Sequence, residues 1–188
     1  MKKTIFNTEY TQTNFKNLIS KDSYRDNLRG IYVNAEDKEL IVTNSFSLVQ
    51  FPLKEIDGDI NRIISLDSFP TKLPKNEVST VTLTESETIT DVGYQRNTCK
   101  LVADKFPDYK AITPSVDMNQ PISGIKIDIK LIADIYTSLK PLFGANIPTY
   151  FTFNGIDKAI SFETDTDING MTVKGLIMPM KYERKDKQ

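Results

Sequence analysis

The fold is decided by two adjacent runs, Arg29-Gly30-Ile31-Tyr32-Val33-Asn34 and Glu39-Leu40-Ile41-Val42-Thr43. Apolar and β-branched residues fill both runs, and the charged turn Ala35-Glu36-Asp37-Lys38 separates them. This pattern is typical of two antiparallel strands joined as a hairpin. Ser47-Leu48-Val49-Gln50-Phe51 follows and predicts a third strand that ends at Pro52. The region therefore predicts a small antiparallel sheet.

A short amphipathic helix is predicted before this sheet, at residues 10–22. Phe15, Leu18 and Ile19 recur there at helical spacing, and polar residues occupy the other positions. A second cycle follows, in which residues 63–65 lead into a helix start at residues 66–69 that prolines cut short. Its strands are predicted at residues 80–84, 88–92 and 98–102.

The third cycle has the clearest helix. A strand at residues 124–127 precedes it, Asp128 is its predicted N-cap, and Pro141 and Gly144 are predicted to end it. Strands are then predicted at residues 149–153, 159–163 and 171–177, with Asn154-Gly155 and Asn169-Gly170 as hairpin turns. The sequence thus predicts an α+β fold of about three strand-helix-strand repeats, at a period of roughly 60 residues.

Composition excludes several classes of protein. The chain has 188 residues, with 24 Lys+Arg against 25 Asp+Glu and no histidine, so its formal net charge is −1. Without histidine there is no Ser-His-Asp or Cys-His pair and no zinc site that uses imidazole. No glycine-rich phosphate loop is present. We therefore expect no enzyme, no catalytic residue, no cofactor and no metal site.

Two further features bear on metal binding and location. Residues 165–170 begin like a calcium loop, but the twelfth position is Leu176 instead of a glutamate, which favours a plain hairpin turn. Cys99 is the single cysteine, and no apolar run approaches the ~20 residues that a membrane span needs. We expect a cytoplasmic protein without contact to a membrane.

Lysines on the predicted helices are candidates for contact with DNA phosphates, although a solvated helix face would look the same. The near-neutral charge argues against tight electrostatic binding of nucleic acid, so any contact with double-stranded DNA is expected to be weak and non-specific. The candidates are Lys16, Lys21, Lys72, Lys75, Lys130 and Lys140.

Two segments are unusual for purely structural sequence. Residues 105–114 are rich in aromatic residues and proline, and residues 176–180 form an apolar run that contains methionines. A linker and a last core strand would account for them. A hydrophobic groove would also account for them, because methionine side chains repack around different peptide partners.

Together these segments resemble the bacterial sliding clamp family, the β subunit of DNA polymerase III. Phe106-Pro107-Asp108-Tyr109 with its following basic residue is similar to the FPDYR segment of the family, and Met178-Pro179-Met180-Lys181 to its C-terminal MPMR. Residues 30–48 are similar to the stretch of the family that ends in ATDGHRL, and residues 127–135 to the helix of its last domain. The pieces occur in the order of the family.

The resemblance implies a DNA-clamp fold, with antiparallel sheets outside and short helices on one face. It implies a complete clamp-like domain of two repeats at residues 1–115, half a domain of one repeat at 116–181, and a charged tail at 182–188. Full rings of the family contain twelve repeats, so three repeats per chain would need four chains. We therefore expect a homo-oligomer.

The resemblance also implies a pocket that takes short hydrophobic peptides from DNA polymerase or other replication proteins. Phe46-Ser47 replaces the His-Arg pair of the family and Asn44 replaces its Asp, so the peptide preference is expected to differ. The residues carried over to the pocket wall are Leu28, Thr43, Phe46, Leu48, Pro107, Ile112, Leu176, Met178, Pro179 and Met180.

Two functions remain open from the sequence. The first is a clamp-like processivity factor that tethers a replication protein to duplex DNA. The second is a clamp-fold module that binds replication proteins through their peptides without encircling DNA.

Overall fold

The computed structural model describes residues 2–103, 105–112, 125–155, 158–168 and 171–180. Within these ranges the chain forms a 12-stranded sheet with short helical elements packed against it. The α-helices are α1 (Gln12–Phe15) and α2 (Ile129–Phe143), and 3₁₀ turns lie at Asp26–Leu28, Leu66–Ser68 and Lys110–Ile112. The strands are β1 (Thr4–Thr8), β2 (Ile31–Asn34), β3 (Glu39–Thr43), β4 (Ser47–Pro52), β5 (Ile56–Asp57), β6 (Arg62–Ile64), β7 (Ser79–Leu83), β8 (Glu87–Val92), β9 (Gln95–Ala103), β10 (Thr149–Thr152), β11 (Ile160–Ile168) and β12 (Met171–Ile177).

The sheet is antiparallel, and its strand order is β10-β11-β12-β4-β3-β2-β6-β9-β8-β7-β1-β5. The first two repeats exchange strands, because β6 pairs with β2 while β1 pairs with β7. The third repeat joins the first through β12 and β4, where Leu176 lies opposite Leu48. Sequence neighbours and distant segments thus share one sheet.

The main core lies between the sheet and the helices. Phe15 is fully buried and packs edge-on against Phe51, with ring centroids 5.1 Å apart. Helix α1 contacts α2, and the buried Asn14 Nδ2 donates a hydrogen bond to the Ser138 carbonyl oxygen at 2.8 Å. Leu131, Ile135 and Leu139 of α2 belong to the same core. Neither helix of the described residues is long and apolar enough to cross a membrane.

The predicted helix at residues 10–22 is much shorter in the structure, where α1 spans only Gln12–Phe15. Asn14 and Thr11 cap its start reciprocally, but the Leu18 N–H bonds the Phe15 carbonyl and the Ser20 N–H bonds the Leu28 carbonyl. The backbone therefore leaves the helix to meet the next turn. Phe15 and Leu18 are buried as the spacing required, so the periodicity predicted the buried side chains but overestimated the helix.

Helix α2 confirms Asp128 as its N-cap, since the carboxylate accepts a hydrogen bond from the Lys130 N–H at 2.9 Å. The prediction that Pro141 ends the helix was wrong. The helix continues to Phe143 and ends at Gly144, whose N–H bonds the Lys140 carbonyl. A proline in the last turn costs one backbone hydrogen bond, and the buried apolar face of α2 outweighs that loss.

Other elements differ from the prediction. Residues 125–128 form no strand, whereas β1 and β5 were not predicted. Strand β10 ends at Thr152 and β11 begins at Ile160, so Asn154-Gly155 does not form a two-residue turn between them. The Asn154 Nδ2 donates a hydrogen bond to the Ala159 carbonyl at 3.0 Å. Asn169-Gly170, residues 113–115 at the predicted domain boundary and the tail at 182–188 lie outside the described residues.

Asn14→Ala is expected to lower the free energy of unfolding by about 1–3 kcal/mol, because it removes a buried hydrogen bond to α2 and the cap of α1 together. Chemical denaturation measures this change. Asn17→Ala, a matched change three residues along the same segment, is expected to stay within about 0.5 kcal/mol of the parent chain. Equal losses in the two variants would contradict the assigned role of Asn14.

Candidate functional site

The candidate peptide groove lies where β12 meets β4. Leu48 and Leu176 pair directly across the two strands, and both are buried. They belong to a second apolar cluster, separate from the main core, which also contains Phe106 and Tyr109. Thr43 lies opposite Leu48 on β3 and donates its hydroxyl to the Ser47 carbonyl at 2.8 Å. These residues form the floor of the groove.

The turn between β3 and β4 places Phe46 on the rim. The Asn44 Oδ1 accepts hydrogen bonds from the Phe46 N–H at 3.0 Å and the Ser47 N–H at 2.8 Å, while Ser45 takes a left-handed conformation at φ 77°. A turn held this firmly fixes the side chain that it projects. Phe46 is 62% exposed, which is unusual for phenylalanine and leaves its ring free to meet a ligand.

The C-terminal part of the described chain lies directly beside Phe46 and extends the rim. The Met178 N–H bonds the Phe46 carbonyl at 2.8 Å, and the Met180 N–H bonds the Lys126 carbonyl at 2.8 Å. These backbone bonds fix the segment while the side chains of Met178 and Met180 remain 38% and 46% exposed. Pro179 between them is half-buried. The rim is therefore apolar, exposed and anchored through its backbone.

Residues 105–112 are fastened beside the groove by aromatic and polar contacts. Phe106 stacks on Tyr32 with ring centroids 4.7 Å apart, and Asn34 Nδ2 donates to the Tyr109 hydroxyl at 2.8 Å. Lys110 forms an ion pair with Asp37, with Nζ 2.5 Å from Oδ2. The hydrogen bond from Lys110, aided by one from Asn34, lowers the pKa of the Asp37 carboxyl below its usual range. Burial raises the pKa of the Tyr109 hydroxyl.

The remaining predicted wall residues are less closely joined to the floor. Pro107 and Ile112 are exposed on the fastened segment. Leu28 is buried in its 3₁₀ turn, which contacts β9, and lies outside the Leu48–Leu176 cluster. A hydrogen bond of 2.6 Å from Arg25 Nη1 to Ser45 Oγ connects that part of the chain to the rim turn.

Sequence reasoning missed the residues that fasten the segment at 105–112. Tyr32, Asn34 and Asp37 were assigned only to a hairpin, and Phe106 and Tyr109 only to a motif. The alternation of side chains along β2 could have indicated this contact. Tyr32 lies between the buried Ile31 and Val33, so its ring must face the other side of the sheet. Tyr109 and Lys110, two contact partners of Asp37, lie too far away in sequence for any local pattern to show them.

The candidate DNA-facing lysines, Lys16, Lys21, Lys72, Lys75, Lys130 and Lys140, are all exposed. Only Lys130 and Lys140 lie within a helix, α2, which contacts α1. Lys16 directly follows α1, whereas the prediction that Lys21, Lys72 and Lys75 lie on helices was wrong. Lys130 is neutralised by an ion pair with Asp134, and Lys140 lies 5.9 Å from the centre of the Tyr136 ring. The positive surface is therefore sparse.

Comparison with solved structures gives a consistent result. The chain superposes on the DnaN sliding clamp (DNA polymerase III subunit beta) of Bartonella birtlesii bound to griselimycin with a TM-score of 0.71 at 15% sequence identity, covering 95% of this chain and 66% of that chain. The DNA polymerase III beta subunit of Thermotoga maritima gives 0.69 at 13% identity, covering 95% and 66%. The Bacillus subtilis clamp gives 0.65 at 16%, covering 95% and 64%.

The chain has the sliding-clamp fold. The α+β architecture of antiparallel sheet and short helices, which the sequence predicted, is confirmed, and so is the resemblance at the level of the fold. The chain spans about two thirds of the length of the clamp chains that it matches. No family model matches the sequence, and a search of curated proteins gives no match.

Within the described residues, no group of three or more Cys, Asp or Glu side chains is arranged to hold a metal ion. Cys99 is half-buried on β9. The features that distinguish the candidate groove are apolar surface and fixed backbone.

The segment at 105–112 is expected to loosen in acid. The pKa of folded Asp37 lies below its unfolded value, so the ion pair contributes stability above about pH 4 and loses it as the pH falls through the lowered pKa. Amide hydrogen exchange at residues 105–112, relative to β2 and β3, measures the effect. Asp37→Asn should speed that exchange at neutral pH and remove its acid dependence, whereas Glu36→Gln should leave both unchanged.

Proposed function

We propose that this chain is a sliding-clamp-like processivity factor that tethers a polymerase or another replication protein to duplex DNA through a hydrophobic peptide groove. The observation that carries the proposal is the exposed apolar rim of Phe46, Met178 and Met180, placed across a strand junction of a sliding-clamp fold. Catalysis has no part in this proposal.

The groove suits a short apolar peptide. Its floor of buried leucines is preformed, and the rim side chains are exposed on a backbone that hydrogen bonds already fix. A ligand then buries the rim without ordering much of the protein, which keeps the entropic cost of binding low. Methionine at two rim positions favours adaptation to more than one peptide.

Sparse positive charge suits a protein that slides along DNA. A sliding contact must touch phosphates weakly and ignore base edges, because each firm phosphate contact would hold the protein at one place. Lys16, Lys72 and Lys140 are exposed, and the whole chain has a net charge of −1. Retention on DNA would then come from enclosure by a ring of several chains.

The ring is proposed from the repeat count. Three helical elements are each followed by strands: α1 by β2–β4, the 3₁₀ turn Leu66–Ser68 by β7–β9, and α2 by β10–β12. We take these as three repeats, a complete pair followed by a single one. Four such chains would supply the twelve repeats of a full ring.

A second candidate is a clamp-fold module that binds replication proteins through the groove and never encircles DNA. The pairing of Lys130 with Asp134 favours it, because this pair removes a cation from the helix surface that a ring would turn toward DNA. Both candidates use the same groove, so peptide binding does not separate them.

Phe46→Ala and Met178→Ala are each expected to weaken peptide binding about tenfold, because each removes exposed apolar area without touching the core. Fluorescence anisotropy of a labelled peptide copied from the C-terminal tail of a bacterial replicative polymerase measures the affinity. Leu48→Ala combined with Met178→Ala should weaken it further. Tyr94→Ala, an exposed aromatic on another turn, is the matched control. Unchanged affinity in the groove variants would show that the groove is misplaced.

Retention on DNA separates the two candidates. A processivity ring should stay on circular duplex through gel filtration and be lost when the circle is cut, because a linear end lets a ring slide off. Equal retention on circular and linear DNA would overturn the proposed processivity factor. A monomer that binds the tail peptide but neither form of DNA would also overturn it and would favour the clamp-fold module. The same protein preparation should be tested with the peptide, so that a misfolded sample is recognised.

A further inference from the structure

A second apolar site lies away from the groove, between helix α2 and the strands that follow it. The structure holds a cavity of about 240 Å³ there, which we call the α2 cavity. Its walls come from two layers, since side chains of α2 face side chains of β10, β11 and β12 across it. Six of the residues that line it are Ile132, Ile135, Leu139, Phe151, Phe162 and Ile177.

The interior of the α2 cavity suits an apolar ligand. None of the described residues that line it carries a charge, and its two hydroxyl groups already donate their protons to the protein. Tyr136 donates to the Ala145 carbonyl at 3.2 Å, and Thr149 donates to the Ile147 carbonyl at 3.0 Å. Because an apolar cavity of about 150 Å³ takes up one benzene ring, this larger cavity has room for an alkyl chain of roughly eight carbons.

A lysine stands at the mouth of the cavity. The lining side chains of Tyr136 and Phe151 are 39% and 42% exposed, so the cavity meets solvent beside them. The Lys140 Nζ lies 5.9 Å from the centre of the Tyr136 ring, and Lys140 forms no ion pair with a described residue. The carboxylates of Asp134 on α2 and Glu163 on β11 are each paired with another lysine. An unpaired ammonium beside an apolar cavity attracts an anionic head group.

We propose that the α2 cavity binds a medium-chain fatty acid, with an alkyl chain of roughly eight carbons inside and the carboxylate against Lys140. Each buried CH₂ group strengthens binding about fourfold, so the chain supplies most of the affinity. The single ammonium matches the single charge of a carboxylate. A phosphate monoester carries about −1.5 to −2 charges at pH 7 and would be left partly unbalanced. The cavity therefore selects the chain, and Lys140 selects the head group.

This site is separate from the peptide groove, and the inference goes beyond the proposed function. Ile177 lines the α2 cavity, whereas its neighbour Leu176 lies in the floor of the groove. Consecutive residues of a strand face opposite sides of a sheet, so β12 has the cavity on one face and the groove on the other. We expect both sites to be filled at the same time when both ligands are present.

Isothermal titration calorimetry with sodium octanoate, below the concentration at which it forms micelles, tests the binding. The full chain should bind one octanoate with a Kd of about 1 mM or less. Hexanoate should bind about tenfold more weakly, because two fewer CH₂ groups are buried. Dodecanoate should gain little over octanoate, because its extra carbons stay outside the cavity. The absence of saturable binding, or an affinity that keeps rising about fourfold per CH₂ up to dodecanoate, would overturn the inference.

Substitution of Lys140 tests the head group. Lys140→Glu should weaken octanoate binding about fivefold to tenfold and leave the binding of octan-1-ol, which has no charge, unchanged. Lys130→Glu, the same change on the same helix, should leave the binding of both ligands unchanged. It lies about 15 Å away along the helix axis, and physiological salt screens charges beyond about 8 Å. Equal losses in the two variants, or equal losses for the two ligands, would contradict the contact with Lys140.

Filling the cavity tests its location. Ile132→Trp should weaken octanoate binding at least about tenfold, because the indole ring takes the volume that the chain needs. Ile129→Trp adds the same ring at a side chain of α2 that is 75% exposed and does not line the cavity, so binding should be unchanged. Circular dichroism checks that both variants fold, and the surface change Lys140→Glu keeps the test valid if Ile132→Trp does not. Parent affinity in folded Ile132→Trp would place octanoate elsewhere and overturn the inference.

Competition separates the α2 cavity from the groove and from a protein occupant. Octanoate should not displace the labelled tail peptide, so failure of this inference and failure of the proposed function are distinguishable. Displacement of the peptide would place octanoate in the groove and overturn the inference. Chains that associate in sedimentation equilibrium and take up no octanoate would show that a second copy covers the cavity, which would also overturn it.

Discussion

The pairing of β12 with β4 is the constraint on which the rest of the structure depends. It brings residues 174–177 against residues 47–50, so the third repeat becomes part of the same sheet as the first. The approach is so close that a Cβ at Gly175 would lie 2.4 Å from the Leu48 carbonyl oxygen and 2.4 Å from the Phe162 ring. Glycine is required there by space rather than by backbone conformation. Helix α2 then reaches α1, and the buried bond between Asn14 and Ser138 completes the joint.

The groove is a consequence of that joint. Its floor combines Leu48 from β4 with Leu176 from β12, and its rim combines Phe46 with Met178, whose backbones bond each other. Neither half of the chain could present this surface alone, because each contributes only one wall. The floor and the rim differ in how far their side chains are exposed to solvent. The leucines are nearly inaccessible and stabilise the sheet, while the rim side chains are exposed on fixed backbone and add little to stability.

Much of the sheet could be predicted from the sequence because strand patterns are local. The apolar and β-branched runs of β2 and β3 and the charged turn between them placed the first hairpin correctly, and β12 was predicted with its exact bounds. The helices were predicted less well because tertiary contacts set their ends: the Ser20 bond to Leu28 shortens α1, and packing carries α2 past Pro141. For the groove, the resemblance supplied the residues, but only the structure separates the buried Leu48 from the exposed Phe46. Asp37 contacts both Tyr109 and Lys110, and Tyr109 lies 72 residues further along the chain. No local sequence pattern encodes contacts over such a separation.

Sparse charge and missing histidine acquire a physical meaning in this fold. A ring that encloses DNA needs no strong attraction, because topology prevents escape while phosphate contacts would only slow sliding. Exposed lysines separated from other charges by more than about 8–10 Å act almost independently at physiological salt, so in the proposed ring a few of them would guide DNA without holding it. The ion pair of Lys130 with Asp134 lowers that number further. In the proposed function, specificity would rest on the apolar groove, where the shape of Phe46 and the methionines would select a peptide. The proposed function thus separates two tasks, since sliding would depend on weak charge and recruitment would depend on buried apolar area.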